Sequence, residues 1–139
     1  MIRIYEYHGI PRAQGRPRAT RMGHLTRVYE AKDDTLNKSN IRAQVVAQDP
    51  EYHESGPVSV SLVCSFPRPK SHFNTRGLSP RAPEHHAQKP DAENVAKAIL
   101  DALTGVCWKD DAQVCSLAVH KAWTDREPVT MITVAEAGN

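Results

Sequence analysis

The stretch "VSVSLVCSF", Val58 to Phe66, alternates with a period of two residues. Val58, Val60, Leu62, Cys64 and Phe66 fall on one side of an extended chain, and Ser59, Ser61 and Ser65 on the other. Successive side chains of a strand point to opposite faces, so this reads as a half-buried β-strand. Working outward, "IRIYEY" at 2–7 has the same period and reads as a first strand. "QVCSLAVHKAW" at 113–123 and "VTMITVAE" at 129–136 read as two closing strands, close enough in the chain to form a hairpin. "AENVAKAILDAL", 92–103, changes period. Val95, Ala98, Ile99, Ala102 and Leu103 form the apolar stripe of an amphipathic helix, and Gly105 suits its C-terminal stop. An earlier helix is expected from a cap at Asp33 or Asp34 towards Gln48, with Ile41, Val45 and either Ala47 or Gln48 inward. The order β–loop–α–β–loop–α–β–β predicts an α+β (mixed α/β) fold, a single small sheet of about four strands with two main helices packed on it.

Three segments lack periodicity. "GIPRAQGRPRATRMGHL", 9–25, carries Arg12, Arg16, Arg18 and Arg21 among prolines and glycines that break helix and strand, so it is expected as a surface loop. "QDPEYHESGP", 48–57, is a connector. "PRPKSHFNTRGLSPRAPEHHAQKP", 67–90, is a long basic segment with Arg68, Lys70, Arg76 and Lys89; a loop of that length in a compact domain is usually functional.

The 139 residues are a one-domain length, and a single domain over 1–139 is expected. The hydrophobic fraction of 40% and charged fraction of 24% are globular, not disordered. No apolar run is long enough to cross a membrane, and the N-terminus lacks the apolar core of a signal peptide. Three cysteines, Cys64, Cys107 and Cys115, without C-x-x-C spacing suit a reduced, cytoplasmic protein, and neither cysteines nor histidines show zinc-ligand spacing. Net charge is +2, but unevenly distributed. Residues 1–30 hold six arginines against two glutamates, and 67–90 hold five basic residues against one glutamate. Residues 91–139 hold eight acids against four bases. Such separation suits a polyanion on one surface and a cation site on another.

The acids concentrate in "KPDAENVAKAILDALTGVCWKDDAQV", Lys89 to Val114. Residues two apart on a continuous helix diverge, but Pro90 suits an element boundary, so Asp91 sits at or just before the cap and Glu93 in the first turn, where they can converge. A structural reading stands beside this one. Asp91 would cap, Glu93 and Lys97 would form a surface pair worth about 0.3–0.5 kcal/mol, and Asp110 and Asp111 would be turn residues. Against it stands the combination: carboxylates at a helix start, a second acidic pair before a strand, and basic loops to bind phosphate. Two or three carboxylates with open positions are how proteins hold Mg²⁺ for phosphate chemistry.

This segment resembles the signature of the RusA-type Holliday junction resolvases. That pattern runs D-x-D-N, a lysine, L-D-A-L and then D-D-x-Q-V; it stands here as Asp91, Glu93-Asn94, Lys97, Leu100-Asp101-Ala102-Leu103 and Asp110-Asp111-Ala112-Gln113-Val114. "PRAQGRPRATRMG" is similar to the family's arginine-rich loop after its first strand, and "CSFPRPKSH" is also family-like. The resemblance implies a homodimeric, Mg²⁺-dependent endonuclease of phage or prophage type in the bacterial cytoplasm, with Mn²⁺ able to substitute. It would nick four-way DNA junctions symmetrically, leaving 5′-phosphate and 3′-hydroxyl ends. It implies that Asp91, Glu93 and Asp111 bind metal, that Lys97 is an active-site lysine, and that Asp110 and Asp101 support them. The cationic residues Arg12, Arg16, Arg18, Arg21, Arg68, Lys70, Arg76 and Lys89 would face DNA. The chain departs from the family in one acid: Glu93 stands where aspartate is usual.

Other residues have competing readings. His85 and His86 are candidates for phosphate contact or plain surface, Trp108 for base stacking or core, and Phe73 for a wedge into a junction or an ordinary loop residue. An alternative function is a branched-DNA-binding recombination accessory that does not cleave. A further one is an interaction protein whose acids only cap and solvate.

Overall fold

A computed structural model describes residues 1–15, 18–23, 25–29 and 32–138. It has the expected α+β architecture, with two α-helices and a four-stranded mixed sheet. The strands of that sheet are β1 (Ile2–His8), β4 (Val58–Pro67), β7 (Val114–Thr124) and β8 (Val129–Glu136), in the order β1-β8-β4-β7. Strand β4 is central and pairs antiparallel with β8 and parallel with β7. The two closing strands therefore form no hairpin. The buried alternation of β4 offers a partner on each side, so β4 inserts between them and satisfies both edges.

Helices α1 (Lys32–Val46) and α2 (Ala92–Leu103) cover one face. Val60, Leu62, Cys64 and Phe66 of β4, Tyr5 and Tyr7 of β1, and Ile132 and Val134 of β8 meet Ile41 and Val45 of α1 and Val95, Ile99, Ala102 and Leu103 of α2. Trp108 closes this core: it is fully buried, and its Nε1 donates to Thr104 Oγ1 at 3.1 Å, so it does not stack on bases. Burial holds the thiols of Cys64 and Cys107 protonated, pushing them up to about 11 and about 12. The opposite face of the sheet is open, with Ile2 65%, Ile4 58% and Val63 44% exposed.

Gln48 does not face the core. It and Gln44 dock on the outer edge of β1. Gln48 accepts from Glu6 N–H (2.9 Å) and donates to Glu6 O (2.7 Å); Gln44 accepts from His8 N–H (2.8 Å) and donates to His8 O (3.0 Å). Side-chain amides thus stand in for a neighbouring strand and satisfy an edge that would otherwise template association.

The segment 9–25 expected as an arginine loop ends inside a hairpin, β2 (Arg18–Met22) with β3 (Leu25–Tyr29), reversing at Gly23, whose φ of +62° glycine adopts without strain. The β-branched and aromatic residues of "LTRVY" supply strand propensity that outweighs the nearby breakers. A smaller hairpin, β5 (Phe73–Asn74) with β6 (Gly77–Leu78), sits in the basic segment 67–90. Among the described residues, no helix is long and apolar enough to cross a membrane.

Candidate active site

The sequence 89–114 folds into helix α2 followed by a tight turn into β7. Asp91 is the N-cap residue of α2 by backbone geometry, yet its side chain makes no capping hydrogen bond. The capping role offered by the structural reading is thus unused. Asp91 is exposed, at the rim of a depression shared with Ala13, Lys89, Pro90 and Asn94. Its backbone position is held from the sheet: Lys121 Nζ donates to the carbonyls of Gln88 and Pro90, each at 2.7 Å.

One turn further on, a cleft of about 380 Å³ opens between α2 and β7. It is lined by Glu93, Lys97 and Asp101 from α2, by Asp111, and by an apolar floor of Ala96, Leu100, Leu117 and Val119. Residues 93, 97, 100 and 101 recur at helical spacing, and Leu117 and Val119 are alternate residues of an edge strand, so the geometry follows from the two periods. Glu93 and Lys97 form no ion pair among the described residues, so the surface-pair reading is not realised. Asp101 is tied across the helix pair to Lys38 at 3.8 Å.

The two neighbouring aspartates divide their work. Asp110 Oδ1 accepts from Ala112 N–H (2.9 Å), and Gln113 Oε1 accepts from the N–H groups of Asp110 and Lys109 (both 2.9 Å). Asp110 and Gln113 form a capping box on the single 3₁₀ turn 111–113, and Gln113 Nε2 reaches on to the carbonyls of His53 and Gly56. Within D-D-x-Q-V, the first acid and the glutamine build the turn, and the second acid faces the cleft.

The arginine-bearing loop is stitched to this site. Gln14 N–H donates to Asn94 O in the first turn of α2 (3.2 Å), and Gly15 N–H donates to Asp34 Oδ2 of α1 (3.2 Å). Arg12 is half exposed, 4.0 Å from Asp33, and Arg21 is exposed on β2. Arg16 lies outside the described residues, as does the side chain of Arg18. Lys70, Arg76 and Lys89 are exposed. Arg68 is not a free cation: its guanidinium donates to Pro83 O at 2.6 Å and meets His72 at 3.4 Å, pinning the basic segment.

His86 is buried, stacked on Phe66 at 3.9 Å and beside Trp123 at 4.4 Å. Burial, and the nearby Lys121 cation, lower its basicity. It is a core residue rather than a phosphate contact. His85 is exposed beside His120. Phe73 is 41% exposed and pairs across β5–β6 with exposed Leu78.

Mg²⁺ keeps several waters and needs only one or two protein carboxylates beside phosphate oxygens. Glu93 and Asp111 on one open cleft fit that demand, while Asp91 lines a separate depression at the start of α2. The three acids do not converge as a closed cage: among the described residues, a group of three such ligand residues within 4.8 Å of one another is found only at Glu51, His53 and Glu136, a different place. The sequence did not announce Lys121, which positions Asp91, or the turn-building role of Gln113, a residue named there only as part of the D-D-x-Q-V run. Lys121 left one signal: a cation in register with the apolar Leu117, Val119 and Trp123 on an inward strand face.

An acidic cleft beside an arginine-bearing loop is the pairing of groups that metal-assisted phosphate chemistry calls for. The family model for Endodeoxyribonuclease RusA matches residues 8–135, and the chain belongs to that family of endonucleases. It is also similar to the "Uncharacterized protein YqaN" of Bacillus subtilis (strain 168), 30% identical over 135 residues, covering 95% of this chain and 94% of that protein.

Proposed function

We propose that the protein is a divalent-metal-dependent endonuclease that resolves four-way DNA junctions by paired nicks. The observation that carries this reading is the cleft in which Glu93, Lys97 and Asp111 meet, next to a loop bonded to the first turn of α2. Asp91, Glu93 and Asp111 are the carboxylates we assign to Mg²⁺, with Mn²⁺ as a substitute. A bound dication supplies charge neutralisation at the scissile phosphate and a more acidic water. Lys97, without an ion-pair partner among the described residues, brings its ammonium to the same cleft and offsets charge building on the phosphate oxygens. Asp101 and Asp110 support through Lys38 and the capping box. Arg12, Arg16, Arg18, Arg21, Lys70, Arg76 and Lys89 bind flanking phosphates, and Phe73 with Leu78 forms an apolar tip suited to the unstacked junction centre.

A junction has two equivalent cleavage points, so a two-fold homodimer would set one cleft at each. The open sheet face around Ile2, Ile4 and Val63 supports self-association. The test is strand analysis of end-labelled four-way junction and matched duplex incubated with Mg²⁺. Symmetric nicks in the junction, absent from duplex and abolished by EDTA, are expected. Tight junction binding without nicks would instead make the protein a non-cleaving accessory, and full nicking in EDTA would remove the metal assignment.

A further inference from the structure

We infer that Glu51, His53 and Glu136 form a second cation site, specific for a transition-metal dication of the Zn²⁺ type, that braces the turn carrying Asp111. A ring nitrogen of His53 and one carboxylate oxygen each of Glu51 and Glu136 all lie within 4.8 Å of one another. His53 is 7% exposed, and neither ring nitrogen makes a hydrogen bond among the described residues. Its Nε2 lies 3.8 Å from Glu51 Oε1, beyond hydrogen-bond reach. A buried imidazole beside two carboxylates, in ion-pair range of Glu51 but hydrogen-bonded to neither, is an arrangement that a metal can complete. Zn–N and Zn–O bonds of about 2.0–2.2 Å would draw the three ligand atoms closer together, and Glu136 is exposed at the end of β8.

The three backbones are already fixed. Glu51 N–H donates to Tyr5 Oη (3.0 Å), His53 N–H donates to Cys107 O (2.9 Å), and Glu136 is paired with Val58 at the end of β8. The set therefore closes without folding cost. One imidazole with two carboxylates favours a borderline metal over Mg²⁺, which prefers oxygen alone. No spacing in the sequence announces this site, because Glu136 is far along the chain from the other two residues.

The site has a mechanical link to the candidate active site. His53 O accepts from Lys109 N–H (3.2 Å) and from Gln113 Nε2 (3.1 Å), the latter being the hub of the turn that presents Asp111. A cation gripping the His53 ring holds the carbonyl on which that turn rests.

The test is calorimetric titration with Zn²⁺ under excess Mg²⁺, which occupies oxygen-only sites, using the full chain. The Glu93→Gln/Asp111→Asn variant separates this site from the cleft. One Zn²⁺ per chain is expected in the wild type and in that variant, lost in Glu136→Gln and in His53→Gln. Because His53→Gln risks misfolding, exposed Glu136→Gln is the deciding variant. Zn²⁺ binding unchanged in Glu136→Gln, or abolished in Glu93→Gln/Asp111→Asn, would overturn the site. Hydrogen exchange tests the link: Zn²⁺ should slow exchange at the Lys109 amide, and binding without that slowing would overturn the bracing role.

Discussion

The contrast between Asp110 and Asp111 carries most of the chemistry at residue scale. Adjacent identical side chains differ because one completes a capping box and the other projects into a cleft. Asp110→Ala should cost about 1 kcal/mol of stability, as removal of a cap does, visible in urea denaturation. Asp111→Asn should leave stability nearly unchanged while lowering nicking by about 100-fold or more, with junction affinity equal or higher because repulsion falls. Near-normal nicking by Asp91→Asn and Asp111→Asn together would end the catalytic assignment. Glu93→Asp should retain or raise activity, since it keeps the charge and restores the acid usual in the family.

His86 gives a pH prediction at the same scale. Burial lowers its basicity below the ordinary value of 6.5. As pH falls through 6.5 the unfolded chain takes up a proton that the folded chain refuses. The stability associated with neutral His86 is therefore complete above that value and declines below it. His86→Phe preserves the stack on Phe66 and removes the titration. Denaturation midpoints measured at pH 7.5 and 5.5 should fall less for the variant than for the wild type. Equal falls would mean His86 is not the titrating group.

At the scale of elements, the site depends on β7 pressing against the start of α2. Lys121 reaches from the strand to the carbonyls of Gln88 and Pro90 and so sets where Asp91 stands. Lys121→Met keeps the aliphatic stem but leaves those carbonyls without their donor. Nicking should drop about 10–100-fold, as when a supporting residue behind a ligand is removed, with junction affinity little changed. A parallel drop in affinity would instead mark Lys121 as a DNA-binding residue. The arginine-bearing loop is bonded to both helices. Arg12→Ala with Arg21→Ala should weaken junction binding and reduce its salt slope by about one for each phosphate no longer neutralised. An unchanged slope would assign these arginines elsewhere.

For the molecule as a whole, the sheet is covered on one side only. Its outer face carries exposed Ile2, Ile4 and Val63, while the β1 edge is sealed by Gln44 and Gln48. Association should therefore use the face rather than that edge. For the proposed homodimer, Ile4→Lys with Val63→Lys should leave a monomer in sedimentation and replace paired nicks by single, uncoordinated ones. Persistence of the dimer would move the interface to another surface.

The local periods were legible in the sequence. The alternation of Val58–Phe66, the stripe Val95–Leu103 and the clustering of acids in 91–111 pointed to the α+β class and to Glu93, Lys97, Asp101 and Asp111 of the cleft, because periodicity and charge are properties of neighbouring residues. What lay outside it were relations across the chain: β4 entering between β7 and β8, Gln48 sealing an edge instead of facing the core, Lys121 under Asp91, and Glu136 beside His53. Strand pairing is chosen by competition among all available edges, and a side chain's partner is fixed only once packing has brought distant residues together. Those choices belong to the tertiary structure, and they alone decide which acid of an adjacent pair builds a turn and which is left facing the cleft.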